Sequence, residues 1–382
     1  MELKECSNRL GRLMQAPKAT YQTFEPMFLP LKINYDEELI KILAEAVQSI
    51  SNLSAMGRRL KNPHLLIAPY LKKEAVLSSK IEGTRTSLSE VFLEEKEVKK
   101  STNQDLEEVN NYIRALEYGL KETEDKPINL ELIKKLHFTL MKGVRGQTKD
   151  PGQFKSLQNW IGSSKDILEA KFVPASPETT PNLMQNLVEY IDKSAKSTPL
   201  IKVGIMHYQF ETIHPFRDGN GRIGRLLITL FLCKTGLLSQ PLLYLSAYFE
   251  KHKQDYDLKL FNVSVKGEIE NWLKFFLTAI KIQSDEVLNR TIELEKYQED
   301  SRLHLETHSN STNVLRVLDL LFINPFIKIT EIKKTLKCHY PTAENNVRIL
   351  VENEILKEYT KEKKRDKIFY APAICRILGI EI

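Results

Sequence analysis

The 382-residue sequence predicts a mainly α protein, and three observations carry that expectation. Apolar residues recur at three- and four-residue spacing through most of the chain, the mark of helices packed on one face. Glycine and proline, 15 and 16 in number, are modest for this length, so long helix-compatible stretches run uninterrupted. The pattern changes in two places, a turn-rich stretch at 144–176 and an alternating, hairpin-like end after Asn353.

Residues 17–35 hold three prolines and several aromatics and read as an extended lead-in. From Asp36 to about Arg59 apolar residues recur at helical spacing, at Leu39, Ile40, Ile42, Leu43, Ala46, Val47, Ile50 and Leu53, in a helix that Pro63 brings to an end. A second helix is expected from near Ala68 to Gly83, and a third over 85–99, capped by Thr86 or Ser87, with Glu90 placed three residues after Ser87 for a capping box. Helices follow from Asp105 to Thr123 and from a cap at Asn129 to Gly143. The stretch 144–176, with Gly146, Pro151, Gly152, Gly162, Pro174 and Pro177 in and beside it, reads as turns and one hairpin. Helices resume at 180–195, 200–213, 220–236 and around 268–295.

Residues 312–382 read as a separate unit. Three short helices (312–322, 328–336, 341–353) precede two strands around a charged KEKKRDK tip, the layout of a winged helix-turn-helix. The chain thus divides into a helical region over 1–104, a core over 105–295, a polar linker or solvated helix end over 296–311, and the unit at 312–382. The polar run predicts few contacts across that last boundary.

Composition narrows the function classes. Apolar residues at 42% and charged residues at 28% are the balance of a soluble globular protein. No stretch approaches the roughly 18–20 apolar residues of a membrane span. The start, MELKECSNRLGRLMQ, is charged where a signal peptide is apolar, so a cytoplasmic protein is expected. Cys6, Cys233, Cys338 and Cys375 are scattered, without the spacing of a zinc site or a disulfide framework. A net charge of +6 permits an anionic partner without requiring one.

The chemistry concentrates in His214-Pro-Phe-Arg-Asp-Gly-Asn-Gly-Arg-Ile-Gly-Arg225. Pro215 sets His214 at a helix-to-loop junction, outside any buried stripe. Asp218-Gly219-Asn220-Gly221 is turn chemistry, and a helix starts directly after it. A glycine-rich turn feeding a helix N-terminus offers free N–H groups and a positive dipole end to an anion. Arg222 and Arg225, three apart on the first turn, are expected to face one side and clamp phosphate oxygens. Asp218 is placed to hold the Mg²⁺ that accompanies a nucleotide, and His214 to act as a general base.

This string resembles, without departure, the HPFx[DE]GNGRxxR signature of the Fic family. The resemblance extends over about residues 25–280 and implies a helical core with a small hairpin flap and transfer of AMP from ATP to Tyr, Thr or Ser hydroxyls of other proteins. His214 would be the base and Asp218 the Mg²⁺ ligand. Gly219, Asn220, Gly221, Arg222, Ile223, Gly224 and Arg225 would hold the phosphates. Other nucleotides, or transfer of phosphate or phosphocholine, are variants that the motif leaves open. Self-association is expected by analogy with relatives.

Three further segments are similar to family features. Ser78-Ser-Lys-Ile-Glu82-Gly83 fits an inhibitory [ST]xxxE[GN] motif, in which Glu82 reaches Arg225 and denies it to the γ-phosphate; Glu82 would also be the residue to orient a water for removing AMP. The plain alternative is a solvated glutamate beside a capping glycine. Pro151-Gly-Gln-Phe-Lys155 and Gln158-Asn-Trp-Ile-Gly162 look like the flap, which pins a target backbone by strand addition, with core packing the alternative for Trp160. Leu243–Ser246 and Lys253–Asp257 resemble the region that ends the nucleotide pocket. Relatives often carry Tyr-Tyr where this chain has Tyr256-Asp257, which puts the adenine-side contact of both residues in doubt.

Two competing readings come from the residues alone. His207-x-x-x-Glu211-x-x-His214, and His304 with His308, have metal-like spacing, but the phosphate motif explains His214 better and leaves His207 a core histidine. The alternative function is a transcription regulator, with Arg348 on the third helix of the C-terminal unit and Lys361, Lys363, Lys364, Arg365 and Lys367 on its wing. That third helix carries three glutamates against one arginine, a poor match to phosphates.

Overall fold

The lead-in supplies one strand, β2 (Gln22–Pro26), which pairs antiparallel with β1 (Gly11–Gln15) just before it, rather than extended chain alone. The computed structural model describes residues 9–16, 19–60, 63–96, 103–193, 198–308, 311–360 and 367–382. Asp36 caps α1 (Glu37–Arg59) by accepting the Leu39 N–H at 2.8 Å, and two acidic residues open it while two arginines close it, complementing the helix dipole. The next helix, α2 (Pro63–Ile81), starts five residues earlier than expected. Proline is tolerated in a first turn, and Pro69 is accommodated inside the helix. The expected capping box of Ser87 and Glu90 opens α3 (Leu88–Glu94).

The core is built by α4 (Gln104–Asp125), α5 (Leu130–Leu140), α6 (Thr180–Asp192), α7 (Pro199–Ile213) and α8 (Asn220–Lys234). The last two are buried almost all round, which marks them as the centre of the core. Two helices that the sequence pattern does not reveal, α9 (Ser246–Lys251) and α10 (Lys253–Lys266), follow. In α10, Phe261, Asn262, Val263 and Ser264 are buried in succession, so no single stripe is written into the sequence. Then comes α11 (Ile269–His308), 40 residues and about 60 Å long. Lys274 pairs with Asp36 at 2.8 Å and Lys281 with Glu45 at 2.7 Å, so α1 and α11 advance together and run parallel. Among the described residues no helix is long and apolar enough to cross a membrane.

Residues 296–308, read as linker or helix end, are the last turns of α11. Leu294, Tyr297, Ser301 and Leu305 form a spaced inward face that the surrounding charge hides in the sequence. Beyond it lie α12 (Thr312–Ile323), β3 (Phe326–Lys328), α13 (Ile329–Leu336), α14 (Tyr340–Glu352), β4 (Lys357–Glu358), β5 (Ile368–Tyr370) and α15 (Pro372–Leu378). The three strands are antiparallel in the order β3-β5-β4. Three helices and a strand pair lie where the sequence puts them; β3 and α15 it does not signal. Lys361, Lys363, Lys364 and Arg365 lie outside the described residues. Arg348 is paired with Glu352 at 3.1 Å and Asn345 at 2.6 Å, and Lys367 with Glu358 at 2.9 Å.

The expectation of few contacts across this boundary is corrected. Helix α12 packs on α2 and α11. The buried Lys96 ammonium reaches Glu331 at 2.7 Å, and Asn324 donates to the Phe92 carbonyl at 3.1 Å and to Glu95 at 2.7 Å. Lys73 of α2 donates to the Leu378 carbonyl at 2.9 Å.

Candidate active site

His214 stands at the C-terminal cap of α7 with φ 50° and ψ 59°, a left-handed conformation costing a non-glycine residue roughly 1–2 kcal/mol. Its Nδ1 donates to the Glu211 carbonyl at 3.2 Å, which leaves the Nε2 lone pair free. Burial, reinforced by the nearby Lys155 ammonium, pushes the imidazole down to about 4, so it is neutral at physiological pH.

The loop after it is tied at both ends. Asn220 Oδ1 accepts the Phe216 N–H at 2.8 Å and Nδ2 donates to the Phe216 carbonyl at 2.8 Å, closing the turn on itself. Gly219, at φ 75°, supplies the left-handed step into α8, and an added Cβ would meet Met141 Sδ at 2.9 Å. Asp218 accepts the Gly219 N–H at 2.7 Å and pairs with Lys149 at 2.8 Å. Burial raises this carboxyl, but Lys149 and Arg222 outweigh that and hold it below its usual range. A half-exposed carboxylate at a helix N-terminus is a hard oxygen donor of the kind Mg²⁺ takes alongside phosphates, so the residue fits that ion once Lys149 cedes its place.

The two arginines do not share a partner. Arg225 is buried, with Nη2 on Glu82 at 2.7 Å and on the Ser78 carbonyl at 2.9 Å, and Nε on Ser78 Oγ at 2.9 Å. Arg222 turns instead toward Glu108 of α4 at 3.4 Å and Met141 Sδ at 3.8 Å. Burial alone would raise the Glu82 carboxyl; the Arg225 charge reverses this and holds it low. Arg225 is correspondingly held further in its charged form. Gly221 makes the contact possible, because a Cβ there would lie 2.2 Å from Glu82 Oε1.

A pocket of about 350 Å³ opens beside this pair, lined among others by Glu82, Glu211, His214, Gly221, Arg225, Tyr256 and Asp257. From the flap stretch Ile161, Gly162, Lys171 and Phe172 also reach it, and Ile161 and Phe172 pair in a single antiparallel bridge rather than a full hairpin of strands. Tyr256 is buried with its hydroxyl 2.7 Å from His207 Nε2, within an aromatic cluster of Phe249, Trp272 and Phe276. Asp257 pairs with Lys253 at 3.5 Å. Of the expected phosphate ligands, Gly221 and Arg225 line the pocket, whereas Ile223 and Gly224 are buried in α8. Trp160 is half-buried and donates to the Ser164 carbonyl at 3.0 Å, within its own loop.

Sequence reasoning missed His137 and Glu74, and named Glu211 and Lys155 only in other connections. His137 of α5 stacks on Phe216 with ring centres 3.8 Å apart. Its Nδ1 accepts the Gly152 N–H at 2.8 Å, so Nε2 must donate to the Asp218 carbonyl at 2.9 Å. In the sequence it is one more residue on an apolar helical face. Glu74 of α2 is buried, pushed up to about 7, and bonds the Ser246 N–H at 3.1 Å and the Tyr112 hydroxyl at 3.2 Å. Glu211 is pushed up to about 8 by burial, and its Oε1 has no hydrogen-bond partner among the described residues. Lys155 was noticed only as part of the flap string.

Residues 40–121 match the Fic/DOC family N-terminal region, and residues 127–232 the Fic/DOC family. Over 174 residues the chain is 32% identical to a probable protein adenylyltransferase of Aquifex aeolicus, an alignment covering 44% of this chain and 49% of that protein. It is 26% identical over 183 residues to the protein adenylyltransferase fic-1 of Caenorhabditis elegans, covering 46% of this chain and 34% of the other. The matches therefore span about half, or less, of these curated relatives. A crystal structure of a Fic family protein from Desulfovibrio desulfuricans shares the fold, with a TM-score of 0.58 at 20% identity over 89% of this chain and 97% of that one. On the two matched regions and the unbroken signature from His214 to Arg225, the chain belongs to the Fic/DOC family.

Proposed function

We propose that this protein is an adenylyltransferase that moves AMP from ATP to a Tyr, Thr or Ser hydroxyl of a target protein, and that Glu82 holds it in check. The observation that carries the reading is the neutral His214, with Nδ1 committed to Glu211, beside a helix N-terminus and a buried arginine. In the reaction the target oxygen bonds to the α-phosphorus, the bond from that phosphorus to the pyrophosphate oxygen breaks, and Nε2 takes the hydroxyl proton. A bound triphosphate would raise the imidazole from its low value toward working pH, since opposite charge favours the protonated form.

The Gly219–Gly221 backbone and the α8 dipole would cradle the phosphates. Asp218 would hold Mg²⁺, which supplies charge neutralisation at the leaving pyrophosphate. Arg225 would take the γ-phosphate once Glu82 releases it. Tyr256 and Asp257 would border the nucleoside end. The cytoplasm, where Cys233, Cys338 and Cys375 stay free thiols, is the expected setting.

The test is to incubate the purified protein with ATP and Mg²⁺ and identify adducts by mass spectrometry. The expected result is a mass increase of one AMP on the protein or an added target, with pyrophosphate released. A different adduct, or none from the Glu82→Gly variant either, overturns the reading.

A further inference from the structure

Four consecutive carbonyls, from Ile213 to Phe216, are each held by the short segment between Lys155 and Asn159. The Lys155 ammonium donates to the Ile213 carbonyl at 3.0 Å, and the Lys155 N–H donates to the Pro215 carbonyl at 2.8 Å. The Asn159 amide donates to the His214 carbonyl at 3.0 Å and to the Phe216 carbonyl at 2.6 Å. Lys155 Nζ also donates to Asn159 Oδ1 at 2.9 Å, so the two side chains act as one unit. At the centre of this grip sits His214 in its left-handed conformation.

The grip is rooted in the core. Its turn is fixed by the Gly152 N–H on His137 Nδ1, and Phe154 packs against Phe216 with ring centres 5.6 Å apart. Lys155 itself is 3% exposed and makes no ion pair among the described residues; its donors are spent on backbone and amide oxygens. Burying an ammonium for packing alone is costly, and a methylene chain would fill the same space without that cost. Backbone strain persists only where neighbours over-determine it.

We propose that Lys155 and Asn159 are positioning residues that hold His214 in its left-handed turn with the imidazole directed at the pocket. This rests on the adenylyl-transfer reading, for which it names the part that fixes the base. Neither side chain contacts the pocket, so their loss acts through His214 and leaves the nucleotide contacts in place.

The experiment uses the full chain carrying Glu82→Gly, to lift the inhibitory contact, with Lys155→Met, Lys155→Arg or Asn159→Ala added. Initial rates, ATP affinity by calorimetry, melting temperature and the backbone angle at residue 214, from a crystal structure or carbon chemical shifts, are measured. In Lys155→Met and Asn159→Ala, kcat is expected to fall at least about tenfold while KM and Kd for ATP stay within about twofold. Lys155→Arg, which keeps a cationic donor, recovers most of the loss. Residue 214 leaves the left-handed region in the two impaired variants. A kcat within about twofold of the Glu82→Gly parent, or a His214 angle unchanged in both, overturns the proposal. Should Lys155→Met fail to fold, Asn159→Ala decides alone. Absence of AMP transfer in the Glu82→Gly parent would sink the proposed function, while the angle at residue 214 still decides on the grip.

Discussion

The Glu82 carboxylate meets the Arg225 guanidinium at 2.7 Å across 143 positions of sequence. The same guanidinium is held by the Ser78 side chain and carbonyl, so the end of α2 and the turn after it engage it at both ends of the Ser78–Glu82 string. Losing one charged contact to the γ-phosphate is worth about 2–4 kcal/mol. Glu82→Gly is therefore expected to raise AMP transfer at least about tenfold, which needs only about 1.4 kcal/mol. Arg225→Ala lowers it with or without Glu82. Initial rates of the four proteins check this, and a change below about twofold on removing Glu82 returns it to a solvated helix end. Release of AMP from a pre-modified target, followed in the same variants, decides whether Glu82 also serves removal.

His214→Ala is expected to abolish transfer while ATP affinity stays within about threefold, because loop N–H groups and Arg225 carry the phosphates. Calorimetry and a labelled-ATP assay measure the two sides. Transfer at the parent rate by His214→Ala would remove it as the base.

Glu211 offers a test in pH. Its carboxyl keeps a proton in the folded state up to about pH 8, whereas the unfolded chain gives that proton up near the ordinary glutamate value. Between those points the folded protein binds more protons, so the Glu211 contribution to stability is present at low pH and is lost as pH rises toward 8. Glu211→Gln is expected to melt close to the parent at pH 5 and above it at pH 8. Equal differences at both values would mean that the carboxyl is not held protonated.

Removing residues 312–382 strips α12 from α2 and α11 and breaks the Lys96–Glu331 and Lys73–Leu378 contacts. The melting temperature of the remainder is expected to fall by at least about 5 °C. A truncated chain melting with the parent would show these contacts to be energetically idle.

Much of the fold was legible because helices announce themselves. Ser87 and Asn129 each cap the helix that their sequence context assigns them. The signature was legible because turn residues, a proline stop and a helix start are local. What escaped depends on distant parts of the chain meeting. His137 looks like any apolar-face residue until Phe216, Gly152 and Asp218 fold around it. Arg222 and Arg225 share a helical turn, yet Glu108 of α4 and Glu82 just after α2 draw them to different partners. The polar run after residue 295 hid a helix because its inward residues are widely spaced among charges.

Gly221 leaves a hollow at the mouth of α8, and the Glu82 carboxylate fills it. On the proposed function a phosphate seated on that turn needs the same room, so Glu82 and the nucleotide would compete for one volume. Competition of this kind makes the apparent dissociation constant the intrinsic one divided by the unlocked fraction. Weakening the lock and adding ATP then become interchangeable routes to the same occupancy. Filling the hollow with a methyl group, as in Gly221→Ala, would evict both contenders at once: the inhibitor would be lost and the released enzyme would have nowhere to seat its substrate.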